Sequence, residues 1–345
     1  MAIDIYRKKA KSFLIYISIL ILSTISLFIA SLSIGSSMLD PRDVFKYFFL
    51  SSLFKADERI AVISMLRLSR TIASIFCGAA LALAGIIMQT VTRNPLADPY
   101  ILGLSSTALT AVSLSIIISP SLMVYRQNII LVAFIGAILG YLATLSIAKL
   151  AGGGGLALIL AGIAISSLFS GLSHILLYIV QNIVKTPYVY LLMGSTQTVL
   201  LKDLNFMIYP VIVLAIASTS MFKPLNAYLY GDEYSKQLGF NPKTITIAAS
   251  TIAALATAIT IAFIGIVGFI GLAAPHIARF LVGSDHRFSI PTTVFIGAIL
   301  TTLSDIAVRA ISILATGIGE LPLGVVTAVI GAPFLAYLVV KKVRE

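Results

Sequence analysis

Charge, cysteine, histidine and tryptophan are all scarce in this chain. Of 345 residues, 24 are Lys or Arg and 13 are Asp or Glu, so 11% are charged against 59% hydrophobic, and the mean hydropathy is +1.05. That is too little polar surface to coat a water-soluble domain, and a soluble globule is excluded. The single Cys77 excludes an intramolecular disulfide. His174, His276 and His286 stand singly, without the i, i+4 spacing or carboxylate neighbours of a metal site, so packing or interfacial roles are expected and no metal site is predicted. No Gly-x-x-x-x-Gly-Lys-Ser/Thr occurs, and Gly265-Ile-Val-Gly268 reads as a helix-packing run. The chain alone is therefore not expected to hold and cleave ATP, and no catalytic residue is assigned.

What is present is apolar sequence in runs of roughly 17–25 residues, the length of a membrane-crossing helix. Lipid offers the backbone no hydrogen-bond partner, and runs of this length are not the short alternating segments of a barrel, so the spans must be helices. The expected fold is an all-α polytopic membrane protein, one transmembrane domain over residues 1–345. Its spans fall near 13–34, 61–90, 100–118, 128–149, 156–181, 205–221, 244–264, 267–283, 290–313 and 322–340. The first run continues to Ala30 and exceeds a cleavable signal's roughly 7–15 residues, so it reads as a retained span. Arg7, Lys8, Lys9 and Lys11 at one end, with Lys341, Lys342 and Arg344 at the other, place both termini in the cytoplasm. The net charge of +11 is thus mostly orientation rather than nucleic-acid binding.

One stretch breaks the pattern. Leu225-Asn-Ala-Tyr-Leu-Tyr-Gly-Asp-Glu-Tyr-Ser-Lys-Gln-Leu-Gly-Phe-Asn-Pro242 is polar and partly helix-patterned between two spans. Leu225, Leu229 and Leu238 offer apolar anchors there, Asp232, Glu233 and Lys236 orient a contact, and Gly231 and Gly239 permit sharp turns, the mix of a helix-in-groove interface, although a merely solvated loop also fits. On the other side, Asp40-Pro41-Arg42-Asp43 followed by Phe45, Tyr47, Phe48 and Phe49 suits a helix lying at the interface. Gly152-Gly-Gly-Gly155 marks a reversal of the chain. Gly85, Pro95 and Gly103 recur as Gly265, Pro275 and Gly283, each 180 positions on, with five spans between. Oppositely oriented halves with Gly/Pro-interrupted helices point to the inverted repeat of a transport fold.

Leu66-Arg67-Leu-Ser-Arg70, Gly85-Ile-Ile-Met-Gln89, Arg93-Asn-Pro-Leu-Ala-Asp-Pro99, Leu160-Ala-Gly162, Gly231-Asp-Glu233, Leu238-Gly239, Gly268-Phe-Ile-Gly-Leu-Ala-Ala-Pro-His276, Leu321-Pro-Leu-Gly-Val-Val-Thr-Ala328 and Gly331-Ala-Pro-Phe334 occur in that order. From about residue 60 to its end the chain resembles the cobalamin and ferric-siderophore permeases of ABC importers, the FecCD or BtuC type. The resemblance implies a homodimer of ten-span subunits, a cytoplasmic ATPase dimer that binds the ATP and Mg, and an extracytoplasmic substrate-binding protein that delivers a metal chelate. It makes 225–242 the coupling loop to the ATPase. It assigns Arg67, Arg70 and Arg309 to docking of the binding protein, a role that suits the bidentate, permanently charged guanidinium. Snorkelling to the interface also fits Arg67 and Arg70, and Asp305 with Arg309, at i and i+4, also fits mutual neutralisation inside the bundle. By resemblance the fifth span lines the path, where Gly162, Ser166, Ser170 and Ser173 share a face beside Ser167; a wettable wall and small-residue helix packing both fit. Thr186-Pro187 to Gly194-Ser195 would form a short helix and its turn, with the external gate near there. Two departures stand out: Ser106-Thr107 replaces the family's Gly-Ala, putting the close helix approach there in doubt, and the family's frequent tryptophans are absent.

An ion-driven secondary transporter is the alternative, since it shares inverted repeats and broken helices. It needs ionisable residues near the bilayer midplane, and only Asp305 comes close. A proton-pumping subunit needs a buried Lys/Glu relay for which the sequence has no candidates.

Overall fold

The computed structural model describes residues 2–35, 40–49, 58–121, 124–184, 193–314 and 320–344. Every regular element among the described residues is helical, the α-helices being α1 (Ala2–Ser33), α2 (Pro41–Phe49), α3 (Glu58–Val91), α4 (Leu104–Ile118), α5 (Arg126–Leu150), α6 (Gly155–Val184), α7 (Leu204–Ser220), α8 (Phe222–Leu229), α9 (Asp232–Gln237), α10 (Pro242–Phe263), α11 (Ile270–Val282), α12 (His286–Leu314) and α13 (Leu323–Arg344). Seven of them are long and apolar enough to cross a membrane, and α4, α11 and Leu323–Pro333 are shorter apolar helices. These ten match the ten expected spans, and two of the three shorter ones, α4 and α11, each follow a break in the chain.

The bundle is built around α3. Buried residues fill 83% of its most apolar stretch, against none for peripheral α1. Small residues make this centre possible, because without a hydrophobic drive between helices in lipid, close backbone approach supplies the packing. A Cβ on Gly78 would lie 2.1 Å from the Gly297 carbonyl oxygen of α12, and one on Gly85 would lie 1.9 Å from that of Gly271 in α11. Gly85→Val is accordingly expected to force α3 and α11 apart and to destabilise by about 3 kcal/mol, seen as a lower temperature at which the folded species disappears from size-exclusion profiles.

Two breaks organise the middle. After α3 the chain turns through Pro99–Leu102, capped by Asp98, whose carboxylate accepts the Tyr100 N–H at 2.8 Å, and Gly103 takes φ +82° before α4. After α10, Gly265 (φ +94°) and Phe269 (φ +68°) turn the chain into α11. The breaks are stitched together: the Val267 N–H donates to the Tyr100 hydroxyl oxygen at 3.0 Å. The stretch at 194–195 joins them, with Gly194 and Ser195 N–H groups donating to the Ile266 and Ile264 carbonyls at 3.1 and 2.8 Å.

The inverted repeat lies in a different register from the one the glycine and proline spacing suggests. Gly85 is inside a helix whereas Gly265 is in a loop; Pro95 is in a loop whereas Pro275 is inside α11; Gly103 begins a helix whereas Gly283 ends one. What recurs is the succession long, short, long, long: α3–α6 and α10–α13. Leu102-Gly-Leu-Ser-Ser106 then matches Ile270-Gly-Leu-Ala-Ala274, and Gly155 matches Leu323, both 168 positions apart. Punctuating residues report breaks wherever they occur, so their spacing alone gave a false alignment.

Gly152, Gly153 and Gly154 form the α5–α6 turn with positive φ, as expected of the glycine run, while Gly155 already belongs to α6. α2 forms over the expected interfacial segment, with Asp40 accepting the Arg42 N–H at 2.8 Å. The Ser106-Thr107 departure leaves helix contact intact: the Thr107 hydroxyl donates to the Gly103 carbonyl at 2.8 Å and fills the space left by Gly140 of α5.

Candidate functional site

The insert folds as two short helices, α8 and α9, turned by Gly231 at φ +112°, ψ +164° and closed by Gly239 at φ +83°. Only glycine adopts such backbone without strain, so Gly231→Ala is expected to cost about 1–3 kcal/mol locally, read as new protease cleavage around 230–233. Leu225 is a correction to the sequence reading. It is fully buried, packing α8 onto the bundle with Tyr228, and presents nothing to a partner. Leu229 is half-buried, while the apolar surface that faces water is Leu238 at 52% exposure with Tyr230 and Tyr234 at 77% and 45%, their rings 5.5 Å apart edge to face. Asp232, Glu233 and Lys236 ring this patch, all exposed. A Glu233 hydrogen bond at 2.9 Å holds the Lys236 ammonium above the usual lysine range.

Two residues without a role in the sequence reading tie the insert to the spans. Arg93, just past α3, donates to the Tyr228 carbonyl at 2.9 Å and to Asp232 at 2.5 Å, with its guanidinium 4.1 Å over the Tyr228 ring. The Asn226 amide oxygen accepts the His286 N–H at 2.9 Å and lies 2.6 Å from its Nδ1, and the Asn226 amide donates to Asp285 at 2.8 Å. Arg93 thus joins α8 and α9 to the end of α3, and Asn226 joins α8 to the start of α12. Arg93 was visible inside a motif, but nothing local signalled a partner 139 residues away.

At the opposite ends of α3 and α12 the three predicted arginines gather, all buried. Arg70 donates to Asp305 at 2.8 Å and to Glu320 at 2.5 Å; Arg309 donates to Asp305 at 2.7 Å and to the Ser31 and Ile34 carbonyls, each at 2.7 Å. Arg67 donates to the Leu32 and Ser33 carbonyls at 3.1 and 3.0 Å, and the Thr196 hydroxyl donates to Asp305 at 2.5 Å. Gln197 hydrogen-bonds Glu320. The mutual neutralisation of Asp305 and Arg309 is present, widened by Arg70. In this conformation the arginines clasp α1, α3, α12 and the segments at 196–197 and 320 instead of facing outward, because buried guanidinium groups require carboxylate or carbonyl partners.

On α6 the predicted small-residue face is turned partly inward. Gly162 sits against the Ile101 carbonyl, and Ser173 is buried with its hydroxyl donating to the Ser170 carbonyl at 2.9 Å, which is helix packing. Ser166 and Ser170 lie at the edge. The exposed polar stripe is the neighbouring one, Ser167, Gly171, His174, Tyr178 and Asn182. Of the expected gate region at 186–195, residues 186–192 lie outside the described residues.

A family model described as the FecCD transport family matches residues 20–341. The chain belongs to that family. FepD, the ferric enterobactin transport system permease protein of Escherichia coli, is 35% identical over 320 residues and 91% of each chain. YfmD, the Fe(3+)-citrate import system permease protein of Bacillus subtilis, is 34% identical over 309 residues and 89% of each chain. A solved inward-facing structure of a metal-chelate type ABC transporter superposes with a TM-score of 0.78 at 29% identity, covering 95% of this chain and 99% of that one.

The FecCD chain is therefore a multi-pass cell-membrane permease of an ABC transport system. In the permease, sequence-predicted residues assemble into two clusters at opposite ends of α3 plus one helix face. Tyr230, Tyr234, Arg93 and Asn226 are the additions the structure makes to them.

Proposed function

We propose that the permease pairs with a second copy of itself and forms a translocation path for a bulky metal chelate at that homodimer interface. The chelate class is ferric siderophore, haem or cobalamin; an external binding protein delivers it, and a cytoplasmic ATPase dimer drives it inward. The observation that carries this reading is the α6 stripe. Ser167, His174, Tyr178 and Asn182 are exposed along a single chain, and polar side chains at bilayer depth face a partner or a watered cavity rather than lipid. A second copy across α6 supplies both. The names of relatives such as FepD and YfmD favour iron chelates as cargo.

The patch of Tyr230, Tyr234 and Leu238, with Asp232, Glu233 and Lys236 around it, is the proposed seat of the ATPase. Both termini and this insert lie in the cytoplasm by the basic-residue bias. On the outer side, a carboxylate of the binding protein would compete with Glu320, which is partly exposed, for Arg70. Glu320→Gln removes that competitor and is expected to tighten docking in a salt-dependent way; unaltered docking at low salt counts against it.

An ion-coupled mechanism needs a carboxylate free to cycle, and Asp305 is held by two guanidiniums and a hydroxyl. Uptake of a radioiron-labelled siderophore in cells lacking the partner ATPase separates the two. The proposed importer stops completely, whereas an ion-coupled carrier continues.

A further inference from the structure

Behind the insert lies a cavity of about 230 Å³, walled by the end of α3, Arg93, Leu229, α11 and the start of α12. Its polar lining includes Gln89, Thr90, Arg93, Arg279, His286 and Ser289, and among the described residues no Asp or Glu. Arg279 hydrogen-bonds the Gln89 amide oxygen, and among the described residues no carboxylate lies within 4.0 Å of it. Ser289 is 1% exposed, and among the described residues its hydroxyl has no hydrogen-bond partner. A buried hydroxyl left alone calls for an occupant. The volume far exceeds the roughly 10–15 Å³ that one water needs, and water could satisfy the serine but not balance the guanidinium.

We propose that this cavity is an oxyanion site, taking a group of the phosphate and carboxylate class between Arg279, Arg93 and Ser289. The oxyanion is either free inorganic phosphate or an acidic group presented by the docked cytoplasmic partner. Because Arg93 also holds the Tyr228 carbonyl and Asp232, an anion here links the insert to α3, α11 and α12 at once. The site stands independently of which chelate is carried.

The test is ³¹P line broadening of inorganic phosphate by the purified full chain in a phosphorus-free maltoside detergent, with chloride-matched ionic strength. The expected result is saturable broadening in the wild type, weakened about 10–100-fold in Arg279→Gln. Ser289→Asp supplies the anion from within and should abolish the phosphate response while raising the unfolding temperature, an arm that survives if Arg279→Gln folds poorly. Repeating the titration with the ATPase bound separates the sources: retained binding identifies free phosphate, and lost binding identifies an acidic group of the partner. Absence of saturable broadening in the isolated wild-type chain, or equal broadening in Arg279→Gln, overturns the proposal.

Discussion

Asp305→Ala is expected to destabilise the permease by about 3–5 kcal/mol, a large share of the total stability of an ordinary domain. Asp305 is completely buried and accepts from Arg70, Arg309 and Thr196 together. Removing it leaves Arg309, itself 2% exposed, without a carboxylate at α1 and α12, and leaves Arg70 leaning on Glu320 alone. The cost is that of a stranded charge and not of one lost hydrogen bond. Asp305→Ala combined with Arg309→Met should therefore recover part of the loss, since an apolar replacement of a buried pair is often neutral. Denaturant unfolding in detergent measures both. An Asp305→Ala protein within about 1 kcal/mol of wild type contradicts the clasp. By the same geometry, a carboxylate introduced at Arg70 would face Asp305 and Glu320, so a charge reversal there tests folding before it tests docking.

The second large effect concerns coupling. Tyr234→Ala with Leu238→Ala should reduce uptake by at least tenfold and release the ATPase on co-purification, because buried aromatic anchors dominate such interfaces at about 2 kcal/mol or more each. Arg93→Ala should reduce uptake as far with the ATPase still bound, since Arg93 acts behind the contact patch by joining it to α3. Leu225→Ala should behave differently again. It opens a cavity under α8 and costs about 2–5 kcal/mol of stability, with uptake falling in step with folded protein. If Tyr234 and Leu238 tolerate alanine with full uptake, the patch is a solvated loop.

Much of the architecture was legible because lipid imposes it. Apolar run length marked ten helices, including the broken ones, and Gly231, Gly239 and the 152–154 run marked turns through their backbone freedom. Orientation of a side chain around its helix was less legible. Ser166, Ser170 and Ser173 share a face in the sequence, but spacing does not say whether that face meets the bundle or the outside, and Ser173 turned inward. Leu225 reads as a contact in the sequence because it is apolar in a polar loop; the same property draws it into the core. The arginine clasp joins positions 70, 305 and 320, and only the i, i+4 pair of Asp305 and Arg309 was local enough to foresee. The repeat was correct in kind, yet its true register followed helix lengths, which glycine and proline counts do not carry.

In the proposed importer the path opens only when a partner's ATP hydrolysis is passed through α8 and α9. The direct measurement is accumulation of a ferric chelate by proteoliposomes holding the permease with the binding protein, with and without the ATPase and Mg-ATP. Accumulation is predicted only when both are supplied, and accumulation by vesicles without the ATPase would contradict it.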